Sequence, residues 1–96
     1  MFKRLEEYRK NLSNEELKIF NNTMKLLNDN KTDFQERTKN FDKELQYTEL
    51  ENEKEKILIV LDTIRVSNEN YKNVISENLY HSIKEMTIIF ELLYNL

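Results

Sequence analysis

The chain contains no glycine, proline, cysteine or tryptophan, and no alanine either. Each absence removes a class of structure. Without Gly no residue takes positive φ at little cost, and without Pro there is no preset turn corner. Tight hairpins, phosphate-cradling loops and most β architectures are therefore poorly served, and helices remain. The lack of Cys excludes a disulfide framework, a thiol nucleophile and a thiolate metal site. No apolar run approaches the ~20 residues that span a bilayer. The opening Met1-Phe2-Lys3-Arg4-Leu5-Glu6-Glu7 turns acidic before any signal-like apolar segment forms. A cytoplasmic protein with no transmembrane segment is expected.

What is present is charge. The 96 residues carry 15 Lys and Arg against 18 Asp and Glu, a net charge of -3, in a length suited to one domain. The acidity is C-terminal: residues 1–48 hold ten basic and nine acidic groups, residues 49–96 five and nine. Such a surface repels a phosphate backbone, so direct nucleic-acid binding is not favoured.

Helical periodicity runs along most of the chain. Phe2, Leu5, Tyr8 and Leu12 form a first stripe. Leu12-Ser13-Asn14-Glu15-Glu16-Leu17 then reads as a capping box, Ser13 accepting from the Glu16 amide and the Glu16 carboxylate reaching back to the Ser13 amide. Leu12 and Leu17 are placed as a hydrophobic staple. Leu17, Phe20, Met24 and Leu27 continue on one face, out of phase with the first stripe, which predicts a bend at Leu12-Ser13. Asp29-Asn30-Lys31-Thr32-Asp33 lacks apolar residues, and Thr32 with Gln35 offers a second capping pattern, so a connection is expected there. A long run follows through Phe34, Phe41, Leu45, Tyr47, Leu50, Ile57, Leu61 and Ile64. Its residues 49–56 are polar nearly all round. Val66-Ser67-Asn68-Glu69-Asn70 is the one later place suited to a turn. Ile57-Leu58-Ile59-Val60-Leu61 is apolar on every side, which favours a fold back at that turn over one unbroken helix.

The expected fold is all-α: a small antiparallel helical bundle or long helical hairpin with a short N-terminal helical element. It forms one domain over 1–96, with helices near 2–11, 14–29, 33–66 and 69–95. In the last of these Ile75, Leu79, Ile83, Met86, Phe90 and Leu93 make one stripe, and Ile88, Leu92 and Leu96 a second beside it.

Little in the sequence suggests catalysis. His81 is the single histidine, so triads, three-His sites and paired Glu-x-x-His di-iron sites are unavailable within one chain. Glu77, His81 and Glu85 share a helix face and make at most half of a metal site in a dimer. No cofactor, metal or small-molecule substrate is expected. A helix-turn-helix between residues 14 and 45 fits on loop length, but its second helix would present Asp33, Glu36, Asp42 and Glu44 among the basic residues.

His81-Ser82-Ile83-Lys84 resembles the His-x-x-Lys start of the histidine-phosphotransfer domains, helical bundles with an exposed, phosphorylatable histidine. Glu85 stands where that family places Gly, and its carboxylate would repel a phosphohistidine. In length and helix layout the chain also resembles several families of small helical partner proteins. These are the helical-hairpin partners of type VII secretion, whose Trp-x-Gly turn is missing here, the flagellar export chaperones, whose Glu/Lys-rich helices are broadly like residues 51–71, bacteriocin immunity proteins and small phage-encoded inhibitors.

The expectation is a non-enzymatic interaction module of adaptor, chaperone or secretion-partner type. It would bind a protein partner or itself through the apolar C-terminal helix, at Tyr80, Met86, Ile88, Ile89, Phe90, Leu92, Leu93, Tyr94 and Leu96. The alternatives are a small phage or mobile-element inhibitor, regulator or immunity protein acting through its acidic surface, and a structural coiled-coil oligomer with Asn68 and Asn78 buried as register-setting residues.

Overall fold

The computed structural model describes residues 2–38 and 47–94. They form four helices and, among the described residues, no strand: α1 (Phe2–Lys10), α2 (Asn14–Thr38), α3 (Tyr47–Tyr71) and α4 (Glu77–Leu93). None of them is long and apolar enough to cross a membrane. The result is a small all-α bundle with α4 at its centre. α4 packs against each of α1, α2 and α3, whereas α2 and α3 barely touch one another.

Side-chain pairs set the directions. Glu16 meets Ser76 and Tyr94 reaches Leu27, so α2 and α4 run parallel. Asn68 meets Tyr80 and Arg65 meets Glu91, so α3 is antiparallel to α4. Arg4 pairs with Glu85 and Tyr8 stacks on His81, which makes α1 antiparallel to α4 as well.

The core draws Leu5 from α1, Phe20 and Leu27 from α2, Ile57 and Leu61 from α3, and Leu79, Ile83, Met86, Ile89, Phe90 and Tyr94 from α4 and its C-cap. Each fully buried Leu or Met contributes about 1.5–3 kcal/mol by leaving water. Ser82 and Thr87 on α4 are buried too. In a chain without Gly or Ala they are the small residues that let neighbours approach, and each hydroxyl donates to the carbonyl three residues before it, Leu79 and Lys84 respectively, at 2.8 Å. No hydroxyl is stranded by this burial.

Two expected connections lie elsewhere. α2 does not stop at Asp29-Asn30 but continues to Thr38. The Asn30 amide donates to the Leu26 carbonyl at 2.8 Å, bonding back along its own helix, and Phe34, two turns beyond Leu27, lies edge-on to Tyr94 at 5.4 Å. That aromatic contact, typically worth about 0.5–1.5 kcal/mol beyond its buried area, favours keeping the helix going. A helix-turn-helix with its turn at 29–33 is thereby ruled out. α3 likewise runs through Ser67-Asn70 to Tyr71, because the Asn68 side chain bonds across to α4 and not to its local backbone. The reversal falls at 72–76, where the Tyr71 carbonyl accepts from both Val74 and Ile75. The expected long helix over 33–66 is thus split between α2 and α3, and Phe41 and Leu45 lie outside the described residues.

The capping box at Ser13 is half formed. Ser13 Oγ accepts from the Glu16 amide at 3.2 Å, but the Glu16 carboxylate turns away from α1. It accepts from the Ser76 amide at 3.0 Å and from Ser76 Oγ at 2.9 Å. Ser76 is itself the N-cap of α4, its Oγ accepting from the Leu79 amide at 3.1 Å. One carboxylate therefore ties the start of α2 to the start of α4.

The Ser76 amide hydrogen bond, opposed by partial desolvation, holds the Glu16 carboxyl below its usual value of 4.5. A depressed pKa adds stability that is present above that usual value and lost as pH falls through the folded one. The denaturant midpoint of the wild type should thus fall as the solution is acidified below about pH 4.5, and Glu16→Gln should flatten that part of the profile. At neutral pH Glu16→Ala should cost about 1–2 kcal/mol in urea unfolding; an unchanged midpoint would show that the link carries no stability.

Burial, with a smaller push from Asp33, raises the Tyr94 hydroxyl to about 12. The unfolded chain ionises first, so this contribution is complete below the usual value of 10 and lost as pH rises through the folded value. Tyr94→Phe should reduce the loss of stability between about pH 10 and 12. At neutral pH it should cost less than about 1 kcal/mol, since the bond to the Leu27 carbonyl is long at 3.4 Å. Denaturant titrations at both pH values check this.

Candidate docking groove

Because α2 and α3 both lean on α4 without closing on each other, a groove of about 460 Å³ opens between them. Its walls are Ile19 and Thr23 from α2 and Thr63, Ile64, Ser67 and Tyr71 from α3, with Leu79 and Ile83 of α4 as its floor. The volume is in the range of ordinary ligand sites, but the site is open along one side and its chemistry is almost wholly apolar.

The two threonines explain why. Thr23 Oγ1 donates to the Ile19 carbonyl at 2.9 Å, and Thr63 Oγ1 to the Ile59 carbonyl at 2.7 Å. With the hydroxyl donor spent on the preceding turn, each Thr serves the groove chiefly with its methyl group. Two of the groove's large side chains are half or more in water, Ile19 at 46% and Tyr71 at 58% exposed, while Leu26 (48%), Ile59 (61%) and Val66 (60%) are exposed outside the groove. Ile19 and Thr23, at i, i+4 spacing, share one face of α2, whereas Ile59 and Val66 stand two positions from the buried Ile57, Leu61 and Asn68 and so lie on the side of α3 away from the core.

Asn68 sits beneath the groove. Its amide nitrogen donates to the Tyr80 carbonyl at 3.0 Å, which fixes the orientation of the side chain and leaves Oδ1 buried with no hydrogen-bond partner among the described residues. An orphaned buried acceptor costs about 1–3 kcal/mol. Asn68 is thus buried, as the coiled-coil alternative expected, but against α4 of its own chain; Asn78 is only half-buried.

The residues expected to form an interface divide into four groups. Met86, Ile89, Phe90 and Tyr94 are core residues of this chain, which corrects their assignment to a docking surface. α4 is apolar on more than one face because three helices cover it. Ile88, Leu92 and Leu93 do remain exposed. Tyr80 is half-buried, its hydroxyl donating to Glu69, and this bond is the main reason that the Glu69 carboxyl is held down and the Tyr80 hydroxyl pushed up. Leu96 lies outside the described residues. The groove residues that sequence reasoning missed are Ile19, Thr23 and Thr63, whose signal was that they lie off the main stripes of their helices.

His81 is exposed, with Tyr8 stacked on its ring at 5.5 Å and Tyr80 edge-on at 5.2 Å. Glu85, which would be needed for half a metal site, is held by Arg4 at 3.1 Å. No group of three or more His, Cys, Asp or Glu among the described residues is placed to hold a metal ion.

If Oδ1 of Asn68 is an uncompensated acceptor, replacing the whole side chain by an apolar one of suitable length removes that cost together with the bond to Tyr80. Asn68→Leu should unfold in urea at or above the wild-type midpoint, whereas Asn68→Ala, which leaves a gap beside α4, should fall by about 1 kcal/mol. A loss above about 2 kcal/mol in Asn68→Leu would mean that Oδ1 has a partner, such as an ordered water.

Compared with protein-family models, with curated proteins and with solved structures, the chain matches none.

Proposed function

We propose that this protein is a non-enzymatic helical interaction module that binds protein by apolar burial at the face formed by α2 and α3. The observation that carries the reading is an open, almost wholly apolar groove between α2 and α3, lined by Ile19, Thr23, Thr63, Ile64 and Tyr71, with Ile19 46% and Tyr71 58% exposed and both threonine hydroxyls donating within their own helices. Exposed apolar surface of this kind marks contact sites in soluble proteins.

The acidic groups support burial over electrostatic mimicry. Asp62 and Glu91 are paired with Arg65, Glu53 with Arg37 and Lys56, Glu69 with Lys72, and Glu85 with Arg4. Part of the negative charge is thereby countered locally, leaving a weaker anionic surface than the count of 18 acidic residues suggests. Glu53 illustrates this: desolvation pulls its carboxyl upward, but hydrogen bonds from Lys56 and Arg37 prevail and hold it below its usual value.

The test uses the tagged full chain and its Ile19→Glu variant, both shown to be helical by circular dichroism, to capture protein from cell extract. The wild type should retain a specific protein, copies of itself included, at low salt and equally at about 0.5 M salt, where exposed charge pairs are screened. Ile19→Glu should retain none of it. Retention by both chains, or loss with salt alone, would overturn the reading.

A further inference from the structure

One polar atom at the groove has no partner among the described residues. Asn68 is 7% exposed and lines the groove together with Leu79 and Ile83 of α4. Its Nδ2 donates to the Tyr80 carbonyl at 3.0 Å. Tyr80 shares a flank of α4 with Lys84 and Thr87, and these two, with Arg65 and Glu69, line a smaller hollow on the other side of Asn68. Nitrogen and oxygen leave a planar amide in divergent directions. A nitrogen turned to that flank therefore leaves Oδ1 turned toward the groove, buried and unpaired.

The groove does not answer this acceptor itself. The Thr23 and Thr63 hydroxyls donate to the Ile19 and Ile59 carbonyls, and Ser67 and Tyr71 are exposed at the rim. A donor has to come from outside, and it has to be neutral. None of the described residues lining the groove carries a charge, so an ammonium or guanidinium would lose its water there and meet no carboxylate.

We propose that the groove receives a tryptophan side chain of a partner protein, its ring against the apolar walls and its N–H donating to Asn68 Oδ1. This rests on the function just given and names the group that anchors the partner. Indole is neutral and mostly apolar, as the lining is. Its N–H is a donor with no lone pair to satisfy, whereas a tyrosine or serine hydroxyl also brings an acceptor, and the threonine donors are engaged. Its flat ring can stack on or meet edge-on the ring of Tyr71, which is 58% exposed at the groove. Because the groove is open along one side, the ring can enter while still attached to a protein surface. Tryptophan is also enriched among the residues that dominate protein interfaces. In the free chain Oδ1 is shielded from water, so the ring displaces a groove side chain to reach it. Ile64, half-buried and one turn before Asn68 on the same helix face, is the neighbour placed to turn aside.

The probes are indole and 1-methylindole, which keeps the ring but lacks the donor, each titrated into the full chain and followed by methyl NMR. In the wild type indole should shift the methyls of Ile19, Ile64 and Ile83 but not of Ile88. Its dissociation constant should be on the order of 1 mM, as suits so small a fragment, and 1-methylindole should bind about tenfold more weakly. In Asn68→Leu the two probes should bind alike, and Asn68→Ala takes its place if leucine fills the groove or the variant does not fold. No binding by the wild type, equal binding of both probes, a preference that survives without Asn68, or shifts confined to other methyls each overturns the proposal. Indole bound at micromolar concentration or below would make a free small molecule the occupant and overturn the protein source. In the capture experiment about 5 mM indole, a few times that dissociation constant, should release the retained protein, and 1-methylindole should not. Protein that indole leaves in place, yet whose capture depends on Ile19, overturns the tryptophan anchor and leaves the functional reading standing. A wild type that captures nothing removes both.

Discussion

The arrangement of this protein follows from the burial of α4. Leu79, Ser82, Ile83, Met86, Thr87, Ile89 and Phe90 all lie inside, and this arc is wider than one facing helix can cover. Three helices are therefore drawn to it, and they compete for its circumference. The distance between packed helices is set by the side chains at the contact, and this chain has no Gly or Ala with which to shorten it. Where contacts with α4 are tight, Ser82 and Thr87 supply the small side chain. Between α2 and α3, which both follow α4, the groove lined by Ile19, Thr23, Thr63, Ile64 and Tyr71 is the space that remains.

Polar contacts fix how the helices sit along α4. The Glu16 carboxylate fastens the start of α2 to the cap of α4, and the Asn68 amide fastens the last turns of α3 to the Tyr80 carbonyl. Arg65 adds a pairing to Glu91 at 2.6 Å, although an ion pair with this much exposure contributes only about 0–1 kcal/mol. Aliphatic contacts alone permit sliding by a turn, because i and i+4 positions present similar surfaces. A carboxylate on a single serine does not. The unpaired Oδ1 of Asn68 is the cost of using an amide for that task where a second partner is out of reach.

The fold class was legible because all-helical structure follows from composition and periodicity together. Ser13 marked the start of α2, and the stripe Leu17, Phe20, Met24 and Leu27 its inner face. The connections were misplaced for one physical reason. Asn30 and Asn68 have strong local preferences for turns, but each is held in helix by what lies around it: Phe34 against Tyr94 beyond the first, and the Tyr80 carbonyl opposite the second. Helical periodicity contains no information on contacts between helices, whether twelve residues apart as for Asn68 and Tyr80 or sixty as for Phe34 and Tyr94. The same limit applies to the site. Met86, Ile89, Phe90 and Tyr94 look like an uncovered surface when α4 is viewed alone, and they become a core once three neighbours are in place. Ile19, Thr23 and Thr63 look like irregularities until α2 and α3 are set side by side.

The groove also bears on why a chain this small leaves such residues in water. Ninety-six residues bury only about two-thirds of the surface they expose when unfolded, so margins of stability are narrow. Leaving Ile19, Leu26, Ile59 and Val66 46–61% exposed forgoes roughly half of the about 1.5–3 kcal/mol that full burial of each contributes, and nothing among the described residues recovers it. Thr23 and Thr63 sharpen the point. A threonine on a free surface gains from donating its hydroxyl to water, but these two donate backward along their helices and turn their methyl groups to the groove. A wall of that kind suits apolar contact and offers water little in return. The stability missing from the isolated chain is thus held in a surface that burial by another protein would convert into binding energy.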